Sequence, residues 1–385
     1  MNILVVIPDS DIGGITTAAV NFCNELCQRG HSVTLLDMSG KYRCDSQLNS
    51  AVARGHLTGK SRFWRLGADD LKKARGARRI MFATLGIIKK LTIRSGLWYR
   101  LIFKKYKEFG SFDAALAFRQ CAPCYSFVLH KVTAKTKIGF VHGELKGMGD
   151  IDSWKKHMAD FDTIAYVSNA VKEEFVHAYP ELYNNAQTIY NMLDVETIQK
   201  ASQQQCDNVF NNNRINIVTV SRIDNEHKKI DRIAPVCKKL KENGFDNFAW
   251  YVVGNGPDLE ACVQQANDLS VADVLYFCGA KENPYPYIYQ ADFTVLPSKS
   301  EAFGLVVVES LILGKPVVAC EYPALKELLE DDITGIIAKQ SEESLYLAVR
   351  KMIEESETRS RLLVNCLNYT YSNDVAYQQF WGRIQ

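Results

Sequence analysis

Two carboxylates, Glu301 and Glu309, flank a Gly304-Leu305 helix start in the segment 298–316, SKSEAFGLVVVESLILGKP. A helix that begins at Gly304 or Leu305 leaves its first backbone N–H groups without partners. It also turns the positive end of its dipole toward the preceding loop, so a diphosphate is its natural ligand. Gly304 lets a phosphate approach with no Cβ in the way. Carboxylates accept hydrogen bonds from hydroxyls, so the segment offers what is needed to hold the phosphates and ribose of a sugar nucleotide. A hydrolytic role for the pair fails on distance. The two carboxyls of a retaining glycosidase stand about 5 Å apart, whereas eight residues of helix span roughly 12 Å.

The surrounding elements suit that chemistry. Phe293–Leu296 reads as a buried strand before the loop, and apolar residues continue from Leu305 to Leu313 until Gly314 and Pro316 stop the helix. A second strand, Ile215–Val220, runs into Ser221-Arg222-Ile-Asp-Asn-Glu-His-Lys228-Lys229-Ile-Asp231. Arg presents a planar fork to phosphate oxygens and Lys a compact point charge. Arg222 and Lys228 together would therefore clamp a diphosphate and neutralise the charge that grows on it as it departs. Between these motifs lie the turn Val252-Val-Gly254-Asn-Gly256-Pro257 and the loop from Gly279 to Asn283. A Gly-Pro turn forms whatever the ligand; in register with the other motifs, Gly254 becomes a candidate wall of a base pocket.

Glu301 and Glu309, with seven residues between them, resemble the E-x7-E signature of retaining glycosyltransferases of family 4, which have the GT-B fold. The other motifs resemble the same family in the same order. The resemblance implies that Glu309 accepts hydrogen bonds from the ribose, that Glu301 lies over the donor sugar, and that the Phe303, Gly304 and Leu305 backbone lies near sugar and phosphate. Arg222 and Lys228 stand where the family carries an Arg and a Lys. The spacing is one residue longer than the commonest form, so Lys229 competes with Lys228. The implied reaction retains anomeric configuration by front-face attack, with the leaving diphosphate helping to deprotonate the acceptor hydroxyl. It needs no cofactor and no metal. Asp9-Ser-Asp11 spells the D-x-D of metal-dependent enzymes of a different fold and reads here as a loop.

The amino-terminal half supplies a β-loop-α unit: the strand Asn2–Ile7, then Gly13-Gly14, then a helix from about Thr16 to Arg29. Gly14 permits close approach of a phosphate or sugar, although the loop lacks the full dinucleotide pattern. His142 ends an apolar strand and is followed by Gly143, a place from which a side chain projects into a cleft. In the family a His or aromatic there lines the sugar site, and a structural role for a lone His remains the other reading. Ser168 reads as a helix cap.

The chain has 385 residues and alternating strand and helix patterns, which fits two doubly wound Rossmann-like α/β domains facing across a cleft. The expected limits are 1–195 for an acceptor-side domain and 196–370 for a nucleotide-sugar domain, with 371–385 crossing back to the first. Eleven Cys form no tidy framework, no leader peptide precedes the chain and no long apolar run is present, so a reducing cytoplasm is expected. Cys121-Ala-Pro-Cys124 completes neither a zinc site nor a thioredoxin-like domain.

Net charge is only +2, yet the segment 60–107 carries fifteen Lys or Arg against Asp69 and Asp70, for +13 against −11 in the remainder. Interleaved apolar residues there suit either an anionic membrane surface with a lipid-linked acceptor or an ordinary solvated face. No nucleic-acid module accompanies the patch. The expected function is transfer of a sugar, from a UDP-sugar by preference, to a glycan or lipid-linked acceptor in bacterial surface polysaccharide assembly. Two alternatives are a sugar-nucleotide 2-epimerase, which works without an acceptor, and a non-catalytic protein at the membrane.

Overall fold

The computed structural model describes residues 1–384 apart from 12, 58–63, 65–71, 73, 93–97, 99–109, 146–150, 207–209 and 211–212. Most of the basic segment 60–107 therefore lies outside the described residues. The chain divides into two compact units, Met1–Leu193 together with Asn373–Gln385, and Asp194–Ser372. Each is a parallel-sheet, Rossmann-like α/β domain.

In the first unit the order is β1 (Asn2–Ile7), α1 (Gly14–Gln28), β2 (Ser32–Asp37), β3 (Ala53–Gly55), α2 (Ala77–Thr92), β4 (Ser111–Ala117), α3 (Ala122–Lys131), β5 (Thr133–Val141), β6 (Thr163–Tyr166), α4 (Asn169–Ala178) and β7 (Ala186–Thr188). The sheet runs β3-β2-β1-β4-β5-β6-β7. β1 is apolar from Ile3 to Ile7 and buried throughout that run, as a central parallel strand covered on both faces must be. Phe22 of α1 packs 5.2 Å from Phe118 and 5.6 Å from Phe140, ring centre to centre. α1 starts at Gly14, two residues before the position read from sequence, because extended Gly13 already supplies the carbonyl that receives the Thr17 amide.

The second unit continues with α5 (Val195–Ser202), β8 (Ile215–Val220), α6 (Ile233–Glu242), β9 (Phe248–Val253), α7 (Leu259–Asp268), β10 (Leu275–Gly279), α8 (Tyr285–Gln290), β11 (Phe293–Leu296), α9 (Leu305–Ile312), β12 (Val317–Cys320), β13 (Gly335–Ala338), α10 (Glu342–Glu354) and α11 (Ser356–Leu367). Its sheet order is β10-β9-β8-β11-β12-β13. Strand order reverses direction between β8 and β11, so the loops after these two strands emerge side by side, the place where such sheets bind ligands. Trp250 of β9 is fully buried and donates its indole N–H to Thr219, whose hydroxyl donates to the Val295 carbonyl.

The last helix, α12 (Asp374–Trp381), belongs to the first unit. Phe380 meets Phe22 at 5.2 Å, Tyr377 lies 3.0 Å from His31 and Asn373 donates to Glu25 at 2.7 Å. These contacts join the end of the chain to α1 through both an apolar plug and buried polar pairs.

Candidate functional site

The loops after β8 and β11 are tied together. The Lys299 amide donates to the His227 carbonyl at 2.7 Å, and Lys228 Nζ lies 2.5 Å from Glu301 Oε1. Ser298 Oγ donates to the same Glu301 oxygen at 2.9 Å. Asp224 shapes the first loop: its carbonyl accepts the amides of Lys228 and Lys229, and its carboxylate accepts those of Glu226 and His227. The chain then turns through Lys229 in the left-handed conformation, φ 53°. The pair Lys228–Glu301 thus places Lys228 in the cluster. Arg222, at the start of the same loop, is exposed.

A third arm fixes the β11 loop from behind. The Arg232 guanidinium donates to the Pro297 carbonyl at 3.1 Å and to Gln340 Oε1 at 2.8 Å, while the Gln340 amide donates to the Ser298 and Glu321 carbonyls. Glu301 is therefore held in place by backbone that is itself held.

α9 starts as the sequence requires. Gly304 stands at its N-cap with φ 101°, and a Cβ there would come within 2.2 Å of the Tyr322 hydroxyl. Phe303 is buried beside it and Leu305 is the first helical residue. Glu309 lies one turn further along, buried, and receives the Tyr285 hydroxyl at 3.3 Å. Burial, only partly offset by Tyr285, raises its pKa from 4.5 to about 7. A carboxyl whose folded-state pKa exceeds its unfolded one binds its proton more tightly when folded. Its contribution to stability is then present below pH 4.5 and is lost as pH rises toward 7. Glu309→Gln, which mimics the protonated form, is expected to exceed the parent in stability by on the order of 2 kcal/mol at pH 8 and to match it at about pH 4, measured by urea unfolding.

Gly254 follows β9 with its amide donated to the Gly279 carbonyl at 2.9 Å. A Cβ on Gly254 would lie 1.8 Å from the Ser221 carbonyl oxygen. The position is set by close passage of two backbones next to Arg222. Gly254→Ala is expected to destabilise the protein by on the order of 2–4 kcal/mol, read as a lowered melting temperature.

In the first unit, Gly14 opens α1 directly after the β1 loop. The loop's carboxylates face arginines, Asp9 at 3.7 Å from Arg119 and Asp11 at 3.1 Å from Arg43, an arrangement that fits a structured loop. Among the described residues no cluster of His, Cys, Asp and Glu is arranged to hold a metal ion. His142 lies at the end of β5, its ring against Phe118 and Phe140 at 4.8 and 5.7 Å. Its amide donates to Gln120, while Nε2 is buried with no hydrogen-bond partner among the described residues. Burial and the Arg119 charge lower its pKa to about 3, so the ring is neutral near pH 7 and able to exchange hydrogen bonds with a hydroxyl. Ser168 caps α4 by accepting the Val171 amide at 3.2 Å, which makes it structural.

Several residues of the cluster escape a reading along the chain: Tyr285, Tyr322, Arg232 and Gln340 each meet an element distant in sequence, while Asp224 shapes its own loop.

Residues 202–365 match the family model described as "Glycosyl transferases group 1". The chain is 24% identical over 179 residues to the N-acetyl-alpha-D-glucosaminyl L-malate synthase of Bacillus anthracis, a match over 46% of each chain. It is 24% identical over 364 residues to a Mycobacterium tuberculosis GDP-mannose-dependent alpha-(1-6)-phosphatidylinositol dimannoside mannosyltransferase, covering 91% of this chain and 86% of that one. Of the curated relatives it matches over shorter stretches, the chain spans about half the length or less. Among solved structures, Anabaena HepE in complex with UDP shares the fold with a TM-score of 0.66 at 16% identity, over 99% of this chain and 96% of that one. The structural likeness is one of fold, two parallel-sheet Rossmann-like domains, and the segment 202–365 that resembles group 1 glycosyl transferases contains Arg222, Lys228, Gly254, Glu301, Gly304 and Glu309.

Proposed function

We propose that this protein is a retaining glycosyltransferase that moves a sugar from a nucleotide-sugar donor, UDP-linked by preference, to a hydroxyl of a glycan or lipid-linked acceptor, in bacterial surface polysaccharide assembly. The observation that supports it most is the Lys228–Glu301 pair at 2.5 Å beside a helix that begins at Gly304 and carries Glu309. In this reading Arg222, Lys228 and the α9 N-terminus take the diphosphate, Glu309 the ribose and Glu301 the donor sugar. The acceptor hydroxyl attacks the anomeric carbon from the face the diphosphate leaves, and a diphosphate oxygen takes the hydroxyl proton. Protein cations carry the leaving-group charge, so the reaction runs without a metal or other cofactor.

The test is incubation with an α-linked UDP-hexose and a candidate acceptor, followed by NMR of the new anomeric centre. An α-linked product supports the proposal and a β-linked product contradicts retention. Conversion of the donor to its 2-epimer with no acceptor present would assign the epimerase reading instead.

The Glu309 assignment carries a pH signature. Ribose hydroxyls donate to the carboxylate, so binding favours the ionised form. UDP affinity is expected to rise between pH 6 and 8, approaching tenfold per unit at its steepest. The titration curve should flatten in Glu309→Gln, checked by calorimetry at several pH values.

A membrane-facing role draws on α2, which exposes Ile80, Ile87 and Leu91 by 72, 62 and 78% beside Arg78, Arg79 and Lys90. No described helix is long and apolar enough to cross a membrane. In this reading the protein docks peripherally on the inner face of the cell membrane, where a lipid-linked acceptor would be met. Neutralising Lys72, Arg78, Arg79 and Lys90 is expected to release it from anionic vesicles, at about 1 kcal/mol per charge, with UDP binding intact. Equal vesicle binding would contradict the reading.

A further inference from the structure

The first unit contains a cysteine pair that the transfer reaction leaves unused. Cys121 stands at the N-cap of α3 in extended conformation, φ −159° and ψ 148°, and Cys124 lies in the first turn of the same helix. The Tyr125 amide already bonds to the Cys121 carbonyl at 3.1 Å, so the helical geometry that brings the two residues within bridging distance is formed. The Cys124 thiol lies against the Cys121 sulfur and also reaches Met38 Sδ at 3.7 Å. Cys124 is fully buried, whereas Cys121 is partly open. This asymmetry, a half-buried residue backed by a fully buried one at the start of a helix, suits the separate attacking and resolving roles of thiol–disulfide exchange.

We propose that Cys121 and Cys124 form a reversible intramolecular disulfide by exchange with a small disulfide of the glutathione type. The Cys121 thiolate attacks one sulfur of the disulfide, breaking its S–S bond, forming a mixed disulfide and releasing one thiolate. Cys124 then loses its proton to solvent and attacks the Cys121 sulfur, closing the internal bond and releasing the second thiolate. The protein gives up two electrons and two protons, and the small disulfide is reduced to two thiols.

The environment supports these separate roles. The Cys124 thiol, with the Cys124 amide and the Arg119 charge, lowers the Cys121 pKa, while burial holds that of Cys124 well above the ordinary thiol range. Cys121 is the attacking sulfur and Cys124 the resolving one. The pair follows β4, which lies beside β1 at the point where the strand order of this sheet reverses, and it adjoins Gln120, which receives the His142 amide. Oxidation would thus stiffen the turn that positions His142.

The chain offers a clean readout, because trypsin releases residues 120–131 between Arg119 and Lys131 with these two cysteines and no others. The full-length protein is equilibrated in glutathione buffers from fully reduced to fully oxidised, alkylated, digested and weighed. The expected result is a peptide 120–131 that resists alkylation and has lost two hydrogens under oxidising conditions, with full return on reduction. In Cys124→Ser, Cys121 should instead retain a glutathione adduct, and in Cys121→Ser, Cys124 should stay unmodified. In the reduced parent, Cys121 should alkylate roughly tenfold faster than Cys124 at neutral pH. A peptide that remains fully alkylated at every glutathione ratio overturns the proposal. So does a parent protein that stops at the glutathione adduct, as Cys124→Ser does.

Discussion

Replacing Lys228 by Ala is expected to weaken UDP binding by about 1.5–3 kcal/mol, the range for a charge-assisted hydrogen bond to a phosphate oxygen. Calorimetric titration of parent and variant reads this directly. Nucleotide-free stability should change by less than about 1 kcal/mol, because the Lys228–Glu301 pair is partly solvated, at 25 and 15% side-chain exposure, and such pairs contribute little. Glu301 also keeps its bond from Ser298 in the variant. The combination of a lost ligand and an intact fold separates binding from folding. Unchanged UDP affinity would remove Lys228 from the site and move the diphosphate contact to Lys229.

Glu301→Gln should act on the chemistry rather than on the nucleotide. Gln preserves the shape of the side chain and its bond with Ser298, yet removes the charge that faces the donor sugar in the proposed complex. Turnover is expected to fall by about 10²–10³, the cost of losing one preorganised electrostatic contact at a reacting centre, while UDP affinity changes by less than about threefold. Single-turnover transfer beside UDP titration makes the distinction. A variant with parental turnover would leave Glu301 as a loop residue held by Ser298 and Lys228 and would favour a non-catalytic binding protein.

The contrast between these neighbours shows how far the chain can be read without its structure. β8 and β11 were legible because short runs rich in apolar and β-branched residues end at polar or Pro residues, and the start of α9 because Gly304 precedes a largely apolar run closed by Gly314 and Pro316. Local signals of that kind are written into neighbouring residues. The choice between Lys228 and Lys229 was not legible, because it depends on a left-handed turn at Lys229 and on a carboxylate brought from the β11 loop. Tyr285 is invisible for the same reason: its hydroxyl matters only once α8 and α9 pack together and bury Glu309.

His142 was legible as a strand end, but its neutral state follows from Phe118, Phe140 and Arg119, which reach it across the sheet. Cys121-Ala-Pro-Cys124 showed no redox context in the sequence. The asymmetry between its two sulfurs emerges only when α3 buries one of them and leaves the other at its N-cap.

The central claim is that the second unit binds a nucleoside diphosphate through Lys228, Glu309 and the α9 N-terminus. Its most direct test is the melting of the purified protein with UDP, GDP, ADP and their sugar conjugates. A ligand at a hundred times its dissociation constant stabilises by about 2.7 kcal/mol. The account predicts a clear rise with one nucleotide, UDP by preference, and a smaller rise in Lys228→Ala. No rise with any nucleotide would contradict it.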